Sequence, residues 1–324
     1  MDAGARRTRR EESRRAVRRR RLIALGVIGV LAAGGAAIAL AAGGSSSQAG
    51  HGQASGPAAG AGQPQGAEGS GEAAGPSTAS LGHGPPGEEP VPILMYHVIA
   101  SPPAGAPFPG LYVPPEEFAA QMQALKEAGW HAVTLDRVEA YWRSGVPLGP
   151  GKPIVLSFDN GYNSQYTQAL PVLQRLGWVG VENLQLSGLP PSQGGLGEGQ
   201  VRGLLAAGWE LDTQGFSHAD LVTLDSEELH YQVAGARTAL QRRYGVAVNW
   251  FCYPSGHYDA TVIAAVKAAG YTGSTTVIPG WAHPSEDPYR LHRLRVLGGT
   301  SPQALLSLLQ GIREEPPAPA SYGT

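Results

Sequence analysis

Four short stretches place chemically capable side chains directly after apolar runs. SFDNGY puts Asp159 and Asn160 behind PIVLSF, and TQGFSHADL puts Gln214 and His218 four residues apart behind GWELDT. FCYPSGHYD turns sharply at Pro254 and Gly256, and PILMYHVI brings His97 to the end of its run. Carboxylate and imidazole are groups that move protons or bind ions, and parallel α/β folds gather such groups where strands end. Plainer duties are open to the same residues. Asp159 could cap the segment after Gly161, His97 could be a hydrogen-bonded core or rim histidine, and His218 could brace a loop. Trp250, Tyr253, Trp281 and Tyr289 could stack on sugars or simply pack. Cys252, between Phe251 and Tyr253, reads as a small buried apolar residue.

The elements needed to position these groups are visible as alternating signals. Eight short apolar or β-branched runs bounded by Gly or Pro read as strands: 91–97, 131–135, 153–158, 177–186, 208–213, 249–253, 271–277 and 291–297. Helical patterns lie between them. Phe118, Met122 and Leu125 share a face before Gly129, and Asp225 with Glu228 forms a capping box ahead of Leu229, Val233, Ala236 and Leu240. A further helix starts at the N-cap candidate Asp259 and stops at Gly270. Strand and helix alternating over 91–313 predict an α/β fold, most simply a distorted (β/α) barrel of the TIM-related kind.

Composition divides the rest of the chain. It has 324 residues, with 24 Lys+Arg, 26 Asp+Glu and one Cys, so an intrachain disulfide framework is excluded. Residues 1–21 hold ten Arg and three acids, leaving 14 basic and 23 acidic residues beyond. That acidic remainder argues against a nucleic-acid partner. Residues 22–42 form an uncharged run of 21 residues, about 30 Å as a helix, which is one hydrocarbon core. Arg18 to Arg21 precede it, so the expectation is a single-pass membrane anchor with a cytoplasmic N-terminus and an extracellular remainder. Cleavage as a signal peptide, giving a secreted protein, is the alternative. Residues 43–90 contain no aromatic residue and no Lys or Arg, and read as a disordered linker. Residues 314–324 read as a disordered tail.

The ordered motifs VPILMYHVI, IVLSFDNGY, AAGWELDTQGFSHADLVTLDSEEL, FCYPSGHYD, AVKAAGYTGSTT and YRLHRLRV resemble the polysaccharide deacetylase family, the NodB-homology or carbohydrate esterase 4 group, in the branch opening with PILMYH. The resemblance implies a distorted barrel that removes acetyl groups from N-acetylated polysaccharide, peptidoglycan included. It implies a zinc-like divalent metal held by one Asp and two His, a second Asp as base, and a His as acid. Carried over, Asp159 is the base, His97 the candidate acid and His218 one ligand. Asn160 and Gln214 stand where the other ligands, an Asp and a His, are expected. Neutral carboxamides lack the charge and nitrogen that such an ion prefers, and a loss of more than about 10⁴-fold in affinity follows from losing two ligands. Glu182 and Asn183 interrupt a strand that is usually apolar in the family.

Two readings follow. One is a glycan-binding member that is weakly active or silent. The other is an active de-N-acetylase, a hydrolase of carbon–nitrogen bonds, with a relocated metal on Asp159, Asp212 and His218, because Asp212 and Gln214 share a strand face. Tyr253, Pro254, Gly256 and Trp281 are the candidate sugar contacts.

Overall fold

The computed structural model describes residues 84–187, 189 and 194–313. The expected membrane segment, most of the expected linker and the tail lie outside the described residues. Among the described residues no helix is long and apolar enough to cross a membrane.

All eight expected strands form: β1 (Ile93–Tyr96), β2 (Trp130–Val133), β3 (Lys152–Asn160), β4 (Val181–Leu184), β5 (Glu210–Thr213), β6 (Trp250–Cys252), β7 (Gly273–Thr275) and β8 (Leu294–Arg295). Every ladder is parallel, in the order β7, β6, β5, β4, β3, β1, β8. β3 is long enough to serve two neighbours on one edge. Residues 152–155 pair with β2 and 157–160 with β4, while β1 runs along the other edge. The sheet curls into a half-barrel, and Thr275 bridges Leu291 across the gap between β7 and the approach to β8.

Parallel strands are covered on both faces, so their side chains divide into two buried layers. Val155 and Val181 on alternate positions pack inside the curl with Ile93, Trp250 and Leu291. Tyr96, Phe118 and Phe158 pack outside, under the helices, with ring centroids 5.2–6.0 Å apart. Each such ring buried contributes on the order of 2–3 kcal/mol.

The connecting helices are α1 (Pro115–Glu127), α2 (Leu135–Ser144), α3 (Leu170–Leu176), α4 (Glu198–Ala206), α5 (Ser226–His230), α6 (Ala236–Tyr244), α7 (Ala260–Ala268) and α8 (Pro302–Arg313). Their caps follow the sequence signals. Asp225 accepts from the amide of Glu228 at 3.0 Å and Asp259 from that of Val262 at 2.9 Å. Gly270, at φ 82°, ends α7. Two π-helical turns were not signalled: Gln165–Ala169 leads into α3, and Tyr231–Gly235 joins α5 to α6.

The expected linker gives way earlier than its composition implies. Gly84 and Gly87 donate to the carbonyls of Ser144 and Tyr141, and the Trp142 indole donates to the Glu89 carbonyl at 2.9 Å. Ser144 ends α2, where carbonyls lack a helical partner, and this stretch supplies one.

Candidate active site

β3 ends in Phe158, Asp159 and Asn160, and the turn that follows is tight. Gly161 takes φ 88°, and a Cβ there would come within 2.4 Å of the Leu184 side chain. Among the described residues, the non-glycine positions with left-handed backbone are Asn160 (φ 78°), His218 (φ 53°) and Ser255 (φ 56°). Asn160 ends β3, and His218 and Ser255 follow β5 and β6, all on the same rim of the half-barrel. Such strain persists where surrounding structure enforces it, which makes this rim the place to look for function.

Asp159 lies inside the curl, 1% exposed. Arg293 grips it with two parallel bonds of 2.8 and 2.9 Å, and Asn183 donates a third at 2.9 Å. The Cys252 thiol approaches at 3.5 Å. A carboxylate has about four lone-pair positions, and these contacts occupy them. Arg293 is equally saturated. Its remaining N–H groups reach the Thr276 carbonyl at 2.8 Å, Ser157 Oγ at 3.1 Å and Cys252 Sγ at 3.2 Å. Burial alone would raise the Asp159 pKa, but the Arg293 charge and hydrogen bonds outweigh it and bring it down to about 2. The same burial pushes the Cys252 thiol up to about 12, so it remains protonated and inert, as its flanking residues suggested.

His97 meets Asp159 across 4.0 Å from Nε2 to Oδ2. Burial lowers its pKa to about 4 despite the pull of Asp159, so at neutral pH the ring is uncharged. A buried imidazole beside Arg293 and Arg295 holds a second proton poorly. Gln165, in the π-helical turn before α3, donates to the carbonyls of His97 and Asp159 at 2.9 and 2.8 Å and ties β1 to β3.

Asn160 and Gln214 reach the same rim. Asn160 gives its amide N–H to Gln185 Oε1 at 3.0 Å, and Gln185 donates in turn to the Ser187 carbonyl at 2.6 Å. Gln214 is 3% exposed and its Oε1 has no hydrogen-bond partner. His218 has its pKa lowered by burial and feels the charge of Asp159, so it too is neutral. Pro254 and Gly256 form a buried turn beside this loop, with Pro254 packed over Gly215.

The remaining candidates stand elsewhere. Asp212 accepts from the backbone amides of Asn249 and Trp250 at 3.1 and 2.9 Å and lies close to the Glu210 carboxyl. Burial raises both acids, Asp212 to about 7. It is therefore committed to its own strand ends, and among the described residues no three of His, Cys, Asp and Glu converge as metal ligands. The relocated site on Asp159, Asp212 and His218 is not formed. Tyr253 points into the outer core, its hydroxyl donating to the Tyr289 carbonyl at 3.0 Å. Trp281 packs edge-on against Trp130 at 5.8 Å, by the start of β2 and the opposite end of the barrel. Neither faces the rim.

Arg293, Asn183, Gln165 and Gln185 were missed in the sequence. Arg293 left a signal there, a charge ahead of Leu294 in LHRLR, where alternation turns every second residue inward, and Asn183 left one as a polar residue in an apolar strand.

The curled parallel half-barrel is the fold of a polysaccharide deacetylase domain. Residues 148–274 match the polysaccharide deacetylase family. The chain is 27% identical to YxkH of Bacillus subtilis (strain 168), a protein grouped with the polysaccharide deacetylases, over 69% of this chain and 77% of that one. A 61-residue stretch, 19% of this chain, is 41% identical to the poly-beta-1,6-N-acetyl-D-glucosamine N-deacetylase of Escherichia coli (strain K12), of which it covers 9%. Among solved structures, the Streptococcus pyogenes deacetylase PplD in complex with acetate superposes with TM-score 0.63 at 25% identity, covering 71% of this chain and all of that one. The Bacillus cereus polysaccharide deacetylase BC0361 gives 0.61 at 26% identity, over 68% of this chain and 69% of that one.

Proposed function

We propose that this protein is an exported, membrane-tethered glycan-binding member of its family, which holds N-acetylated polysaccharide at the Asp159 rim with little or no hydrolysis. The observation that carries this reading is the closure of Asp159. Its acceptor positions are filled and its pKa is about 2, so it is a poor base for activating water.

The donor set beside it does not fit the divalent ion that the family uses. Asn160, Gln214 and His218 are all neutral, and the nearest anion is already neutralised by Arg293. Borderline-soft ions favour imidazole and carboxylate over carboxamide. The same neutral groups suit an acetamido substituent. Gln214 Oε1 can accept its N–H, and the uncharged rings of His97 and His218 can bond its carbonyl or neighbouring hydroxyls. The likeness to a poly-N-acetylglucosamine deacetylase supports that substrate class, and residues 18–42 support export with membrane retention.

The test compares the purified chain with an Asn160→Asp/Gln214→His double variant on N-acetylglucosamine oligomers with zinc, cobalt or manganese. Acetate release from the variant and none from the parent is expected. Metal-dependent acetate release by the parent contradicts the reading.

A further inference from the structure

Large apolar side chains standing exposed among the described residues are Phe108 (68%), Tyr231 (51%) and Leu297 (42%). All of them belong to the rim that carries Asp159. Phe108 lies in the segment after β1 and Leu297 in the segment after β8. These segments are joined, Gly298 donating to the Gly110 carbonyl at 3.0 Å. Tyr231 lies in the π-helical turn between α5 and α6, and its ring covers that of Phe216 with centroids 4.4 Å apart and planes 30° from parallel. Phe216 in turn sits between Gln214 and His218. In the sheet, β1 and β8 lie to one side of β3 and β5 to the other. The two apolar platforms therefore flank Asp159.

The Phe216 platform is rigid. Gln232, next to Tyr231 in the π turn, accepts from the amides of Phe216 and Ser217 at 3.0 and 2.9 Å and donates to Ser217 Oγ at 2.7 Å. Ser187 donates to the Phe216 carbonyl through both its amide and its hydroxyl, at 2.8 and 3.0 Å. With the backbone under Phe216 fixed this way, the half-buried ring and the exposed Tyr231 above it lose little entropy when a ligand lands on them. π-helical turns recur at functional sites, and here one turn supplies both the ring and the bracket. A pyranose ring suits such surfaces, because its C–H face is apolar and its edge polar.

We infer that Phe216 with Tyr231 and Phe108 with Leu297 are two sugar-stacking subsites on opposite flanks of Asp159, so that the site grips an extended glycan rather than one sugar unit. This rests on the glycan-binding reading above. The test is calorimetric titration of the full chain with dimers and hexamers of β-1,6-linked and β-1,4-linked N-acetylglucosamine. The hexamer binds more tightly than the dimer. Tyr231→Ala and Phe108→Ala each weaken hexamer binding by roughly tenfold while the chain still unfolds cooperatively, whereas Tyr231→Phe keeps parental affinity. Unchanged hexamer affinity in either alanine variant overturns the two-sided grip while sparing the glycan reading. No binding of any oligomer by the parent sinks both.

Discussion

Arg293 and Asp159 are 134 residues apart in sequence and 2.8 Å apart in space, both fully buried. Removing one member of such a pair strands the other charge, so Arg293→Ala lowers stability by about 3–5 kcal/mol in denaturant unfolding. Asp159→Asn/Arg293→Met recovers most of it, whereas equal losses in the single and double variants refute the pairing argument. The Asp159 carboxyl also sets an acid limit. Its folded pKa of about 2 lies below its unfolded value, so the stability it contributes is present above pH ~4 and is lost as pH falls toward 2. Glu182 has the opposite sign. It is 1% exposed, neither carboxylate oxygen has a partner, and burial with the nearby Asp159 charge raises its pKa well above the usual range. The folded state keeps a proton that the unfolded state releases above about pH 4.3, so stability declines as pH rises. Glu182→Gln should therefore raise the melting temperature at pH 8 and change it little at pH 4; a pH-independent difference would count against this.

At the level of elements, local signals carried most of the information. N-cap chemistry is confined to one turn, so Asp225 and Asp259 could be read directly, and Asp259→Ala costs about 1 kcal/mol by thermal unfolding. A full parental melting temperature would deny Asp259 that role. The strand runs were equally legible because both faces of a parallel sheet are buried. What escaped was non-local. Nothing in SFDNGY announces that Asp159 is saturated by β4, β6 and the approach to β8. Nothing in GWELDT announces that Asp212 turns to Asn249 and Trp250 rather than toward His218. Asn183 had been read as a threat to the barrel lining, yet it is the side chain that steadies Asp159. The aromatics misled for a related reason. Tyr253 and Trp281 are large and near the motifs in sequence, but one packs outward and the other sits at the far end of the barrel. Phe216, unremarked between Gln214 and His218, holds the rim.

Across the whole molecule, the proposed anchor is an Arg-rich start and an apolar run that hold an acidic domain through a Gly-rich stretch. Protease added to intact cells should release the domain while the N-terminal segment stays with the membrane fraction, and full protection of the domain would refute export. The central claim is chemical: a rim of neutral donors around an Arg-locked carboxylate binds sugar and does not retain a catalytic ion. Metal content measured by mass spectrometry on the purified chain, equilibrated with zinc and then desalted, tests it most directly. Far less than one zinc per chain is predicted for the parent and close to one for Asn160→Asp/Gln214→His. One zinc per chain in the parent would contradict the account.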